Sequence, residues 1–217
     1  KHLDVEALRP WDLAVDPLNQ PALRPFEDAA KLPAGVQRIF ERLDADLASE
    51  FRMMQELRLL DLENRKGKAP GGYQTALGEA RLPFIFMNAV GRQRDVETLL
   101  HEAGHAFHAL AAREENLYAY RHAPTEFCEV ASMSLELLGN EHLDPFYAPS
   151  EGERARRDHL RNVVELFPWI ATVDAFQHWI YTHPSHTRVE RSAAWLALMD
   201  RFGGDVDWSG CEKARAN

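Results

Sequence analysis

Apolar residues recur every three to four positions over most of the chain, and this spacing predicts a mainly helical protein. Residues 1–34 differ, because their five prolines predict an irregular, extended lead-in. Pro168 favours a break in one of the predicted helices, and Gly203 and Gly204 favour the end of another. The predicted helices cover 35–63, 95–113, 125–139, 151–182 and 186–202.

One short apolar segment departs from the helical pattern. Residues 82–90, with the sequence LPFIFMNAV, are too short for a typical helix and predict a β-strand just before the helix over 95–113. Two interpretations stay open for this strand, and they do not exclude each other: it lies inside a sheet, and it offers an exposed edge to which an extended peptide can add. The predicted fold class is therefore mainly α, with a small β element beside one helix.

Residues 64–74 form a basic, glycine-rich segment between the first predicted helix and this strand. A phosphate-binding loop is excluded, because no GK[ST] ending and no following helix are present. Either a mobile loop over a cleft or a plain surface turn fits this composition. If the segment borders a cleft, Gly71, Gly72 and Tyr73, together with Asn88 of the strand, are candidates for substrate contact.

Composition narrows the class of protein. The 217 residues carry a net charge of −9, which argues against binding to a nucleic-acid backbone. No apolar run reaches the length of a membrane span, and no signal-peptide pattern is present. Cys128 and Cys211 are the only cysteines and lie far apart in sequence. They predict neither a disulfide framework nor a thiolate zinc site, so we expect a reducing, cytoplasmic setting.

The helix over 95–113 contains HEAGH at 101–105, a pattern typical of zinc peptidases. Residues four apart lie on the same helix face, so the imidazoles of His101 and His105 can reach one metal ion. Glu102 is then placed to act as general base on a metal-held water. Asp95 is the predicted N-cap. Gly104 costs about 1 kcal/mol relative to Ala in a helix, which predicts a close approach of another backbone or of substrate.

The same helix shows a clear apolar face, which predicts that it packs in the core. The residues of this face are Val96, Leu99, Leu100, Ala103, Phe107 and Leu110.

A catalytic zinc needs a third protein ligand besides two histidines. Glu126, Glu129 and Glu136 on the next predicted helix are candidates, and spacing alone does not choose among them. His108 lies two turns from His101, too far to complete the same tetrahedron comfortably, and packing or support of a ligand suits it better.

With these residues the sequence resembles the family of thimet oligopeptidase and oligoendopeptidase F, and most closely the oligoendopeptidase F branch. The resemblance rests on HEAGHAFH at 101–108 and FCEVAS at 127–132, and weaker similarity runs over nearly the whole chain. It implies one zinc ion per chain, bound by His101, His105 and Glu129, with Glu102 as general base. It also implies a zincin-like helical catalytic domain that cleaves short, unstructured peptides. Ser132 and Glu136 are then the nearer candidates for support of the ligands.

One departure from the family bears on activity. The family's histidine and tyrosines that stabilise the oxyanion lie C-terminal to the matching region, so residues 1–217 are expected to form an incomplete catalytic domain. The leading hypothesis is a zinc endopeptidase. The alternatives are a catalytically impaired fragment that still binds peptides and a helical protein in which HExxH arose by chance. Sequence preference and oligomeric state do not follow from the sequence.

Overall fold

A computed structural model of the chain describes residues 3–16 and 18–216. These residues divide into two compact units, one formed by Ala22–Arg156 and the other by the N-terminal segment and Arg157 onward. No helix in the described ranges is long and apolar enough to cross a bilayer. The helices are α1 (Lys31–Leu43), α2 (Ala45–Glu56), α3 (Gln93–Ala111), α4 (Thr125–Gly139), α5 (Pro149–Thr182), α6 (Arg188–Phe202) and α7 (Glu212–Arg215), and the strands are β1 (Leu60–Glu63), β2 (Tyr73–Leu77) and β3 (Leu82–Ala89). The predicted mainly α fold with a small sheet is confirmed.

The prediction of one long helix over 35–63 is wrong, because this segment folds into α1, α2 and β1. The chain turns at Asp44, whose backbone is extended and whose side chain accepts hydrogen bonds from the backbone of Asp46 and Leu47 at 2.8 and 3.1 Å. Asp44 is thus the N-cap of a second helix. Both helices bury their apolar faces in one core, so the helical spacing of apolar residues continues across the turn and hides it.

The sheet has the strand order β1-β3-β2, so β3 is its central strand. β3 runs parallel to β1 and antiparallel to β2, and its residues are alternately buried. The strand predicted over 82–90 is therefore confirmed, and it lies inside a sheet instead of offering an edge. The edge beside α3 belongs to β2, which the sequence analysis left partly in a loop and partly unassigned. β2 and β3 are joined by a tight hairpin over 78–81.

α3 packs against this sheet and against α1, α2 and α4. All six residues of its predicted apolar face are buried. In the same core, the ring of Phe40 lies edge-on to the rings of Phe51 and Phe107, each with a centroid separation of 5.1 Å. Burial of one such phenyl ring contributes about 1.5–3 kcal/mol. The core thus fixes α3, the helix that carries both motif histidines.

The helices predicted over 151–182 and 186–202 are present as α5 and α6, with two differences in detail. α5 continues through Pro168, where the sequence favoured a break, and the hydroxyl of Thr172 donates to the Pro168 carbonyl at 2.9 Å. α6 begins at Arg188 because Thr187 is its N-cap, with Glu190 completing a capping box. Trp195 of α6 packs edge-on against Trp169 and Phe176 of α5.

Candidate metal centre

The start of α3 differs from the prediction that Asp95 is its N-cap. Arg92 occupies the N-cap position, and Asp95 lies three residues further on. The Asp95 carboxylate accepts hydrogen bonds from the backbone of Arg92 at 2.9 Å and of Val90 at 2.8 Å. It therefore satisfies free N–H groups by reaching backwards from the first turn, as the acidic residue of a capping box does. This arrangement ties the entry of α3 to the end of β3.

The structure brings three predicted ligands together. His101 and His105 lie one turn apart on α3, and their Nε2 atoms are 3.2 Å apart. Glu129 of α4 places its Oε2 atom 3.4 Å from His101 Nε2 and 3.8 Å from His105 Nε2. The three donor atoms thus form a compact triangle around a single position that one metal ion could occupy.

The dimensions of this triangle fit a zinc ion. Ligand atoms at about 2.0–2.1 Å from a tetrahedral zinc lie about 3.3 Å from one another, close to the three separations above. Two imidazoles and one carboxylate also form a donor set of catalytic zinc sites, which keep a fourth position open. Within residues 3–16 and 18–216, this is the one group of three or more His, Cys, Asp or Glu residues found with such spacing. Glu126, Glu136 and His108 are not part of it.

Glu136 contacts His101 through Nδ1, the ring nitrogen that is not part of the donor triangle. Its Oε1 atom accepts a hydrogen bond from His101 Nδ1 at 2.6 Å. This contact raises the pKa of His101, although burial opposes the shift. With the proton held on Nδ1, the Nε2 atom of His101 keeps its lone pair available for a metal ion.

Ser132 supports the third ligand in a similar way. Its hydroxyl lies 3.0 Å from Glu129 Oε2 and 3.1 Å from the Glu129 carbonyl, so it can donate to either. Ser132 is fully buried, at 0% exposure, where α4 meets α3. The structure thus places Glu136 and Ser132, the two nearer candidates for ligand support, each in contact with a ligand candidate.

Glu102 lies beside the triangle with its side chain largely buried. Burial raises the pKa of Glu102, while the neighbouring His101 and a hydrogen bond with the backbone of Gln74 lower it. A carboxylate whose protonated form is favoured in this way can hold a proton as well as accept one. Glu102 and His101 line the same cavity of about 390 Å³.

Three of the four candidate substrate contacts, Gly71, Gly72 and Asn88, line this cavity. Tyr73 does not, since its ring stacks on Phe86 at a centroid distance of 5.0 Å. Their contact with substrate stays a prediction. The Asn88 side-chain amide donates to the Ala69 and Gly71 carbonyls at 2.8 and 3.0 Å. Asn88 therefore shapes the loop that forms this wall.

Lys68 fastens the same loop, residues 64–72, to the sheet. Its side chain is 1% exposed, and its Nζ atom donates to the carbonyls of Asp61, Glu63 and Met87 at 2.5–3.0 Å. These contacts favour a fixed wall of the cavity over the mobile loop that the sequence analysis considered. Lys68, one of the basic residues of this segment, thus attaches the loop to the sheet.

Sequence reasoning missed two features of the site. One is β2, whose residues 74–77 line a second cavity near the motif helix. Its sequence, YQTAL, contains only two residues with strong strand preference, so its signal was weak. The other is this cavity itself, lined by arginines from three separate segments, which has no sequence signature.

Comparison with known proteins shows which family the sequence matches. The model of the family described as Peptidase family M3 matches residues 1–214. The plasmid-borne oligoendopeptidase F of Lactococcus lactis subsp. cremoris is 30% identical over 118 residues, which are 54% of this chain and 19% of that protein. The oligopeptidase PepF of Bacillus subtilis (strain 168) is 31% identical over 125 residues, or 58% of this chain and 18% of that protein.

A solved structure shares the fold over nearly the whole chain. It is described as PZ peptidase A with inhibitor 2, has a TM-score of 0.88 and is 33% identical, covering 99% of this chain and 38% of that one. The resemblance to oligoendopeptidase F proteins is therefore confirmed. The chain matches about a fifth of the length of the curated relatives and less than two fifths of this solved structure.

Proposed function

The chain belongs to peptidase family M3, a family of metallopeptidases, and we propose that it forms the catalytic core of a zinc-dependent endopeptidase that cleaves short, unstructured peptides. The observation that carries this proposal is the triangle of His101, His105 and Glu129 donors, with the buried carboxylate of Glu102 beside it. Two free cysteines suit a reducing compartment, so the cytoplasm remains our prediction for its location.

The proposed reaction uses Glu102 as a proton shuttle. When bound, zinc polarises the scissile carbonyl and lowers the pKa of a coordinated water toward about 7. Glu102 takes a proton from the attacking water and later gives it to the leaving amine.

The outer edge of β2 is the proposed guide for the substrate backbone. Within the described sheet β2 pairs only with β3, and most of its residues are exposed. An extended peptide can add to such an edge through main-chain hydrogen bonds, whatever its side chains. The strand lines a cavity to which His105 also belongs, so a peptide bound along it would lie beside the donor triangle.

Zinc content tests the ligand set. The purified chain is expected to hold one zinc per chain by elemental analysis, and Glu129→Ala is expected to lose or weaken that zinc. Glu126→Ala is the matched control, since Glu126 is an exposed glutamate of the same helix outside the triangle. A wild-type chain without zinc after loading, or equal zinc in Glu129→Ala, would contradict the proposal.

Glu136 gives a separate test of how His101 is held. Glu136→Ala is expected to weaken zinc binding about 10- to 100-fold, because the partner of a metal-binding histidine fixes its tautomer and orientation. Competition with a chromogenic chelator measures the affinity. Glu141→Ala, a change at an exposed glutamate beyond the end of α4, serves as control. Equal affinities in both variants would show that the Glu136 contact does not orient the ligand.

A further inference from the structure

A second cavity, of about 240 Å³, lies along β2, and His105 is part of its wall. Its wall includes residues 74–78, which span most of β2 and the start of the hairpin, and the C-terminal end of α3. We call it the arginine cavity, because Arg81, Arg113 and Arg121 line it. These arginines come from the hairpin, the turn that follows α3 and the segment after that turn, so the fold brings them together.

The arginine cavity is strongly biased in charge. Three arginines line it, and no carboxylate belongs to its wall among the residues that the structure describes; Arg113 also pairs with Glu114 outside the wall, at 3.3 Å. This contrasts with a chain whose net charge is −9. A concave site lined by one sign of charge concentrates ligands of the opposite sign.

Two of the guanidinium groups are held in place while keeping donors for a ligand. Arg81 Nη1 donates to the Arg113 carbonyl at 3.0 Å, and Arg121 Nε donates to the Glu115 carbonyl at 2.8 Å. An arginine has five N–H donors, so each of these bonds uses one of them. A guanidinium oriented in this way can bind a carboxylate through two parallel hydrogen bonds.

Size and position indicate what the cavity takes. Its volume is below the roughly 300 Å³ at which sites for whole drug-sized ligands begin, so it suits one side chain or one chain terminus. Leu77 and Tyr118 add apolar wall for the carbon atoms of such a group. Because His105 also lines the cavity, a peptide lying along β2 would place a residue close to the scissile bond there.

We propose that the arginine cavity binds a carboxylate of the peptide substrate, either an acidic side chain or the free C-terminus, and thereby selects where the peptide is cleaved. This inference rests on the proposed peptidase function. It adds a preference for negative charge at one fixed position relative to the scissile bond.

A positional scan tests the preference. Internally quenched peptides carry Glu, Gln or Lys at each of the three positions on either side of the cleaved bond, with a free or amidated C-terminus. We expect one position at which Glu raises kcat/KM over Gln by about tenfold or more, as charge-assisted hydrogen bonds do, with Lys below both. If the free C-terminus is the ligand, amidation causes the loss instead.

Variants link the preference to the cavity. Arg121→Gln and Arg81→Gln are expected to bring the Glu-to-Gln ratio close to one, and Arg121→Glu is expected to turn the preference toward Lys. Arg52→Gln is the matched control, an exposed arginine paired with Glu41 on another surface, and its ratio should equal that of the wild type. Thermal melting shows whether each variant is folded.

The two proposals fail differently. If the zinc-loaded chain binds peptides but cleaves none, endopeptidase activity of residues 1–217 is contradicted in favour of the impaired fragment, and anisotropy of labelled peptides on the zinc-loaded Glu102→Gln chain still tests the carboxylate preference. If neither cleavage nor binding distinguishes Glu, Gln and C-terminal amides, the arginine cavity is not a carboxylate site. A preference that survives both Arg121→Gln and Arg81→Gln also overturns the inference.

Discussion

Replacement of Glu102 by glutamine is expected to lower kcat by about 10²- to 10⁴-fold, the usual contribution of a general base, while zinc stays bound. Glutamine keeps the size and polarity of the side chain but cannot accept a proton from the attacking water. Glu102 lies outside the donor triangle, so the metal ligands are untouched. Cleavage of a quenched peptide and elemental analysis of the same sample measure the two quantities.

The control for this change is Glu153→Gln, at an exposed glutamate of α5. It is expected to cleave like the wild type. Full activity of zinc-loaded Glu102→Gln would assign the base to another group. Loss of zinc from Glu102→Gln would instead show that Glu102 supports the metal site, which the geometry does not indicate.

The elements near the site differ in how well their sequences predict them. α3 and β3 follow from the sequence because each has one clear pattern, a helical apolar face in α3 and a short apolar run in β3. The turn between α1 and α2 at Asp44 does not follow from the sequence, since the helical spacing of apolar residues continues through it. The sequence does not predict β2, because this segment becomes a strand only by pairing with β3. That pairing brings together residues such as Tyr73 and Phe86, which are 13 positions apart in sequence.

The metal centre shows the same division between local and tertiary information. His101 and His105 are local, because helix geometry alone brings them onto one face. The choice of the third ligand is not local, since three glutamates of the next helix are equal candidates by spacing. Only the packing of α4 on α3 places Glu129 at the Nε2 atoms and Glu136, two turns later, at His101 Nδ1. The family resemblance favoured Glu129, whose carboxylate lies near both histidines, and its role as a ligand stays a prediction.

The arginine cavity is even harder to predict from the sequence than the third ligand. Lys and Arg together number 25 in this chain, and nothing local distinguishes the three arginines that meet there. Their proximity depends on the β2–β3 hairpin, the end of α3 and the fold of the following loop. A positive site on a negatively charged chain thus becomes visible only once the backbone is known.

The close contact between α3 and α4 passes through Gly104. A Cβ atom at this position would lie 2.5 Å from Ser132 Cα and 2.8 Å from the Ala131 carbonyl oxygen. Both are backbone atoms, so neither can move aside without shifting α4. The sequence predicted a close approach of backbone or substrate here, and the structure shows that the backbone of α4 is the neighbour.

Gly104→Ala is therefore expected to destabilise the protein even though alanine favours helices. The gain in helix propensity is about 1 kcal/mol, whereas overpacking costs about 1–3 kcal/mol and more when backbone must move. We expect a lower free energy of unfolding and weaker zinc binding, because a displaced α4 carries Ser132 and Glu129 away from the histidines. Urea denaturation and chelator competition measure these effects.

Gly152→Ala in α5 is the matched control for this change. There a Cβ atom would meet its nearest neighbour, Arg156 Nη1, at 3.7 Å, an ordinary contact. This substitution is expected to stabilise the protein by about 0.4–1 kcal/mol, because alanine restricts the unfolded chain more than glycine does. Opposite signs for the two substitutions would show that contact with α4, and not helix propensity, requires glycine at position 104. If Gly104→Ala instead matched Gly152→Ala in stability and bound zinc like the wild type, α4 would not be fixed by this contact.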